Sequence, residues 1–260
     1  MGDYWLTDLP AKLSGLPNVS FYSGWQTRSR SSGGYDKLLG VAVHHTASRT
    51  STANDCYYNW VTCGDGPVGA IYLGRAGEIV VGAAGATNCV GKGGPWNLSR
   101  GTVPKDQGNQ NTISIEAGNA GDGSEAWPAA QQDAYIALVR ALCQGYGFDP
   151  SRDVLSHYEW CLPTCPGRKI DPAGPSRWGS INAAGTWNMD AFRAELATTE
   201  EVDMTDTQAA QLAHISQTVD GLWQGQIATN STLWDGDQSV IGRLSRIEDR
   251  VAALEQAAGL

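Results

Sequence analysis

The sequence predicts an α/β domain, a mixed β-sheet flanked by helices, followed by a small helical C-terminal region. Two observations predict this. Short β-branched runs with polar ends are interspersed with amphipathic helical segments without a regular βαβ repeat. Composition and charge also change abruptly near residue 199. The 260 residues have room for one sizeable domain plus an appendage. Residues 1–198 hold all six cysteines and 27 of the 32 glycines, with seventeen acids against fifteen bases. Residues 199–260 carry ten acids and three arginines. The join, ATTEEVDMTDT, is polar and acidic, as linkers are. The expected organisation is a domain over 1–198, an acidic linker over 199–206 and a helical region over 207–260.

The first strand signal is LLGVAVHH, a β-branched run ending in two histidines. A short helix is expected over Ser51–Val61. AIYLGRAGEIVVG reads as two strands about an Arg-Ala-Gly-Glu turn, and NTISIEAGN as a third alternating strand. After Pro128, which a first helical turn tolerates, Tyr135, Leu138, Val139, Leu142 and Tyr146 recur at helical spacing until Gly145 and Gly147. A last helix is expected over Trp187–Leu196. In the tail, Val240, Leu244, Ile247, Val251 and Leu254 follow 4-3-4-3 spacing, about two heptads. Leu212, Ile215, Val219 and Leu222 are also helically spaced. The tail is therefore expected to form helices that oligomerise the chain or target it to a surface, with His214 on a helix surface.

A net charge of −9 and a pI near 4.8 argue against nucleic acid and anionic lipid as partners and favour neutral or polymeric ones. No run approaches the ~20 apolar residues of a membrane span. The start, MGDYWLTDLPAKL, lacks the basic and apolar regions of a secretory leader, so cytoplasmic synthesis with reduced thiols is expected.

The chain has only four histidines, and three lie in the first domain. His44 and His45 are strand neighbours that point to opposite faces, so only one serves a given site. SHYEWCLPTCPGRKIDPAGP places His157, Glu159, Cys161, Cys165, Lys169 and Asp171 within fifteen residues. A catalytic zinc takes three such ligands and keeps a fourth position for water, so His44, His157 and Asp171 would suffice. On spacing alone, a surface loop with a core histidine stands beside that reading, because no HExxH or paired CxxC signature is present. A zinc deaminase is excluded: Cys161 and Cys165 are three residues apart, directly follow the glutamate and flank prolines.

These segments resemble the zinc-dependent N-acetylmuramoyl-L-alanine amidases of the type-2 fold, shared with peptidoglycan recognition proteins and phage endolysins. The resemblance covers roughly residues 20–198. VAVHHTAS aligns the family's first zinc histidine with His44, SHYEW its second with His157, and GRKIDP its lysine and zinc aspartate with Lys169 and Asp171. NTISIEAGN aligns its catalytic glutamate with Glu116, AIYLGRAGEIVVGA resembles its hairpin, and GWQTRSR resembles phage members. The resemblance thus implies Zn2+ as cofactor, bacterial peptidoglycan as substrate and the bond between N-acetylmuramic acid and L-alanine as target. Glu116 would move the proton and Lys169 would stabilise the oxyanion.

Two departures stand out. Cys165-Pro166-Gly167 matches a branch that uses cysteine as third ligand, so Cys165 competes with Asp171, although Lys169 two residues earlier favours the aspartate. Asn88-Cys89 occupies a place where many relatives carry histidine. Tyr57, Tyr58, Trp60 and Trp96 are read either as core or as the lining of a substrate groove. An endolysin made in the host cytoplasm, reaching the wall once the membrane is permeabilised, is the expected function. A cytoplasmic muropeptide-recycling amidase and a non-catalytic recognition module are the alternatives.

Overall fold

In a computed structural model, residues 2–198 are described. The expected linker 199–206 and helical region 207–260, with its heptads and His214, lie outside the described residues. The elements run α1 (Leu9–Lys12), β1 (Val19–Phe21), β2 (Gly40–His45), α2 (Thr52–Tyr57), β3 (Ile71–Leu73), β4 (Ile79–Val81), β5 (Trp96–Leu98), β6 (Gly101–Val103), β7 (Thr112–Ala117), α3 (Ala129–Tyr146), β8 (Val154–Ser156), α4 (His157–Cys161) and α5 (Met189–Ala197).

Six strands form one mixed sheet in the order β1-β4-β3-β7-β2-β8. Only the β3–β4 hairpin is antiparallel; the other four neighbouring pairs are parallel. The central strands β2 and β7 are buried on both faces, as parallel sheets covered by helices must be; β2 reads as an apolar run up to its histidines, whereas β7 alternates Ile113 and Ile115 with Thr112, Ser114 and Glu116. The expected strands and α3 are present. Gly147 ends α3 in the left-handed conformation (φ 69°), where a side chain would strain the backbone. Pro128 takes the N-cap position of α3 rather than its first turn. The helix expected over Ser51–Val61 is capped by the Ser51 side chain and loosens into a π-turn over Tyr58–Thr62. The last helix begins at Met189, because the Asn188 side chain caps it by accepting from the Asp190 and Ala191 N–H groups.

On one face, α3 buries Tyr135, Leu138, Val139 and Leu142 against Val41, Val43, Ile113 and Ile115. Trp187 lies with its ring centroid 4.4 Å from both Trp127 and Trp178, and Phe192 of α5 closes the aromatic cluster. Each such side chain contributes about 1.5–3 kcal/mol by leaving water. On the other face the apolar packing splits into two smaller groups. One gathers Ala42, Leu155 and Trp160 under the 88–103 segment; the other gathers Cys56, Trp60 and Tyr72. Between them lies polar ground. Among the described residues, no helix is long and apolar enough to cross a membrane.

Candidate metal centre and active site

β2, β3, β7 and β8 are mutually parallel, so their carboxyl ends meet at one rim of the sheet, where open α/β sheets place ligands. The two-residue period turns Val41, Val43 and His45 to the α3 face and Ala42 and His44 to the other. Register sets Glu116 of β7 beside His44. β8 stops pairing with β2 at Val43, whereas β7 stays paired with β2 through His45. The Tyr135 hydroxyl reaches this strand pair from α3: the His44 N–H donates to it (3.0 Å), and it lies within donating distance of the carbonyls of His44 (3.1 Å) and Ile115 (3.5 Å). A helix in the core thus holds the backbone of the first candidate ligand.

His157 arrives by a different device. Ser156 ends β8 and caps α4, accepting from the Glu159 N–H while the Glu159 carboxylate takes the Ser156 N–H, a reciprocal capping box. Arg193 of α5 grips Glu159 at 2.9 and 3.1 Å, a charge-assisted fork that ties the short helix to the core. Asp171 is held from the opposite face, where the Ala173 N–H donates to His45 Nδ1 at 3.0 Å. The two adjacent histidines therefore divide the labour, His44 in the site and His45 supporting the loop of Asp171.

The three candidates converge. His44 Nδ1 lies 2.9 Å from Asp171 Oδ2 and 3.1 Å from His157 Nδ1, and His157 Nδ1 lies 3.1 Å from the same Oδ2. All three residues are buried and together could hold a metal ion. Burial pulls the His157 imidazolium down to about pKa 4, so the ring is neutral and offers a lone pair. Burial works against the charge of Asp171, but hydrogen bonds from His157 and His44 hold it well below the usual carboxylate range. Two imidazole nitrogens and an anionic oxygen facing one point are what zinc takes. Tetrahedral bonds of about 2.0–2.1 Å set ligand atoms about 3.3 Å apart, near the observed spacing. The residues fit the ion.

Around this trio, Arg168 Nη2 reaches His157 Nε2 (3.1 Å), the Cys161 sulfur (3.1 Å) and the carbonyls of Val90 (3.2 Å) and Lys92 (2.6 Å). It ties the 88–92 segment to α4 alongside His157 through the two carbonyls and the sulfur, a contact that spacing did not signal. Glu116 is 7% exposed, and burial pushes its carboxyl above the usual range. The His44 ring, the Cys89 thiol and the Lys169 ammonium pull it back. Lys169 is half-buried and makes no hydrogen bond or ion pair with the described residues, while its charge acts on both Glu116 and His157.

Other residues grouped with the site by sequence are elsewhere. Glu159 is spent on the capping box and Arg193. Cys161 packs in the core beside Trp160, and Cys165 faces the Lys92 carbonyl at 3.5 Å. Among the described residues, neither cysteine joins a metal-competent group, and neither is in a disulfide. Tyr57 and Tyr58 are exposed, Trp60 is buried with its indole N–H on the Gly69 carbonyl, and Trp96 is partly buried. Cys89, unassigned by sequence, donates to Glu116 Oε1 at 3.0 Å.

Comparison with known proteins identifies the family. The family model for N-acetylmuramoyl-L-alanine amidase matches residues 34–174, which contain all five site candidates. No curated protein matches the chain. Similar solved structures include the endolysine N-acetylmuramoyl-L-alanine amidase LysCS from Clostridium intestinale URNW (19% identity, 60% of this chain and 90% of that chain, TM-score 0.40). They also include the amidase LysC from the same organism (17%, 70% and 99%, 0.43) and a selenomethionine derivative of AmpD (17%, 70% and 96%, 0.48). With its family model spanning more than half the sequence, the chain belongs to the N-acetylmuramoyl-L-alanine amidase family.

Proposed function

We propose that the chain is a zinc-dependent peptidoglycan hydrolase of the endolysin type, cleaving the amide between N-acetylmuramic acid and L-alanine. The observation that carries this is the convergence of His44, His157 and Asp171 on one point beside Glu116, within a chain of the amidase family. These three residues would hold the zinc, which supplies Lewis acidity toward the amide carbonyl and lowers the pKa of bound water from ~15.7 toward ~7.

The protein's own groups do the rest. Glu116 takes a proton from the attacking water and passes it to the leaving amine. Its raised proton affinity suits it to both halves of that transfer, since a general acid–base works best near the operating pH. The unpaired Lys169 ammonium stabilises negative charge developing on the carbonyl oxygen. His45, Tyr135, Glu159 and Arg193 hold ligands in place and move no protons. Hydrolysis is favoured over recognition alone because a full donor set is present together with a base. The acidic segment after residue 198 supports action on an insoluble wall, where a targeting or oligomerising tail adds avidity. In this reading the enzyme is made in the host cytoplasm and lyses the cell once the membrane is permeabilised.

The test is digestion of purified peptidoglycan by zinc-loaded and chelator-treated protein, with fragments identified by mass spectrometry and end-group labelling. New L-alanine amino termini appearing only with zinc are expected. Intact glycan–peptide linkages in sacculi of several stem-peptide types, with zinc bound, would overturn the reading.

A further inference from the structure

Glu116 reaches the site from a strand, yet among the described residues its carboxylate has one hydrogen-bond donor, the thiol of Cys89. That thiol sits on a loop under tight control. The Asn109 side-chain oxygen accepts the backbone N–H groups of Cys89 (3.1 Å), Val90 (2.9 Å) and Gly91 (3.1 Å), so one amide fixes three successive residues. The Asn88 N–H donates to the Pro67 carbonyl at 2.8 Å, and the Asn88 side-chain amide donates to the Asp65 carbonyl, also at 2.8 Å. Gly69 adopts φ +70° with its backbone against the Glu116 stem, where a Cβ would lie 2.8 Å from Glu116 Cγ. The side chain is therefore packed along its stem by a glycine and bonded at its carboxylate by a sulfur.

We propose that Cys89 is a positioning residue for the amidase reaction: its S–H engages Glu116 Oε1 and leaves Oε2 turned to the reacting water and amine. The inference rests on the hydrolytic reading above and names what aims its base. A thiol is a weak donor, and a weak donor suits the task. It fixes the direction of the carboxylate while drawing little on its lone pairs.

The experiment compares wild type, Cys89→Ala and Cys89→Ser by kcat, KM and zinc content, together with the S–H stretching band in infrared spectra of wild type and Glu116→Gln. Loss of one hydrogen bond to a charged group predicts a fall of about tenfold in kcat for Cys89→Ala. KM and zinc content should hold, and Cys89→Ser should recover to within about threefold of wild type. The Cys89 band should lie at lowered frequency in wild type and rise in Glu116→Gln. An unchanged kcat in Cys89→Ala, a serine variant as slow as the alanine variant, a loss carried by KM or zinc content, or a band indifferent to Glu116→Gln overturns the proposal. The band reads the contact without turnover, so an inactive wild type with a shifted band would refute the hydrolytic reading and leave the contact established.

Discussion

The two faces of the sheet are built on different terms. The α3 face is one continuous apolar cluster in which Tyr135, Trp187 and Phe192 stack against β-branched strand residues. The opposite face is broken into small apolar groups, and the space between them is given to His44, His157, Asp171 and Glu116. Buried polar groups cost stability unless each finds a partner. Here they are partnered largely with one another, and side-chain amides and Arg168 stitch the surrounding loops in addition to the packing of Val90, Leu98 and Trp160. The comparison teaches that stability and chemistry are separable in this molecule. Tyr135, His45 and Arg193 join them: Tyr135 is packed in the apolar face while its hydroxyl holds the His44 backbone, His45 holds the loop of Asp171, and Arg193 of α5 holds α4.

Three substitutions break or sharpen this division, from the largest effect to the smallest. Glu116→Ala should lower kcat by roughly 10²–10⁴-fold, the usual worth of a general acid–base, while zinc content and thermal midpoint stay near wild type. Steady-state turnover with metal analysis checks this, and retained activity would remove the base from Glu116. Phe192→Ala on the opposite face should do the reverse. Deleting a fully buried aromatic costs about 3–5 kcal/mol of stability in denaturant titration, with zinc affinity unchanged under folding conditions. A large loss of zinc affinity there would show that the faces are coupled. Lys169→Ala should reduce kcat by about 10²–10³-fold, as removal of one oxyanion donor does, with little effect on stability because the ammonium has no partner among the described residues. A kcat within twofold of wild type would reduce Lys169 to a surface charge.

Much of this was legible in the sequence, and what escaped has physical reasons. β2, β7 and α3 announce themselves because their apolar periods are long enough to read, and HH at a strand end already implies that only one histidine faces the site. β1, β5, β6 and β8 are as short as β3 and β4, three residues each, but lack the paired apolar runs about an Arg-Ala-Gly-Glu turn that made that hairpin readable. The grouping of Glu159, Cys161 and Cys165 with the metal took nearness in sequence for nearness in space. The S-x-x-E pattern at Ser156–Glu159 is a capping signature and accounts for Glu159 locally. The roles of Cys89, Asn109, Arg168 and Arg193 depend on contacts between segments that no local pattern carries.

The central claim is that His44, His157 and Asp171 together form the zinc site, with Cys165 outside it. Zinc content after dialysis, measured by elemental analysis on wild type, His157→Ala, Asp171→Ala and Cys165→Ala with folding checked by circular dichroism, tests this most directly. One zinc per chain in wild type and Cys165→Ala, and essentially none in the other two, is the predicted result. A folded Asp171→Ala that keeps its zinc while Cys165→Ala loses it would contradict the account.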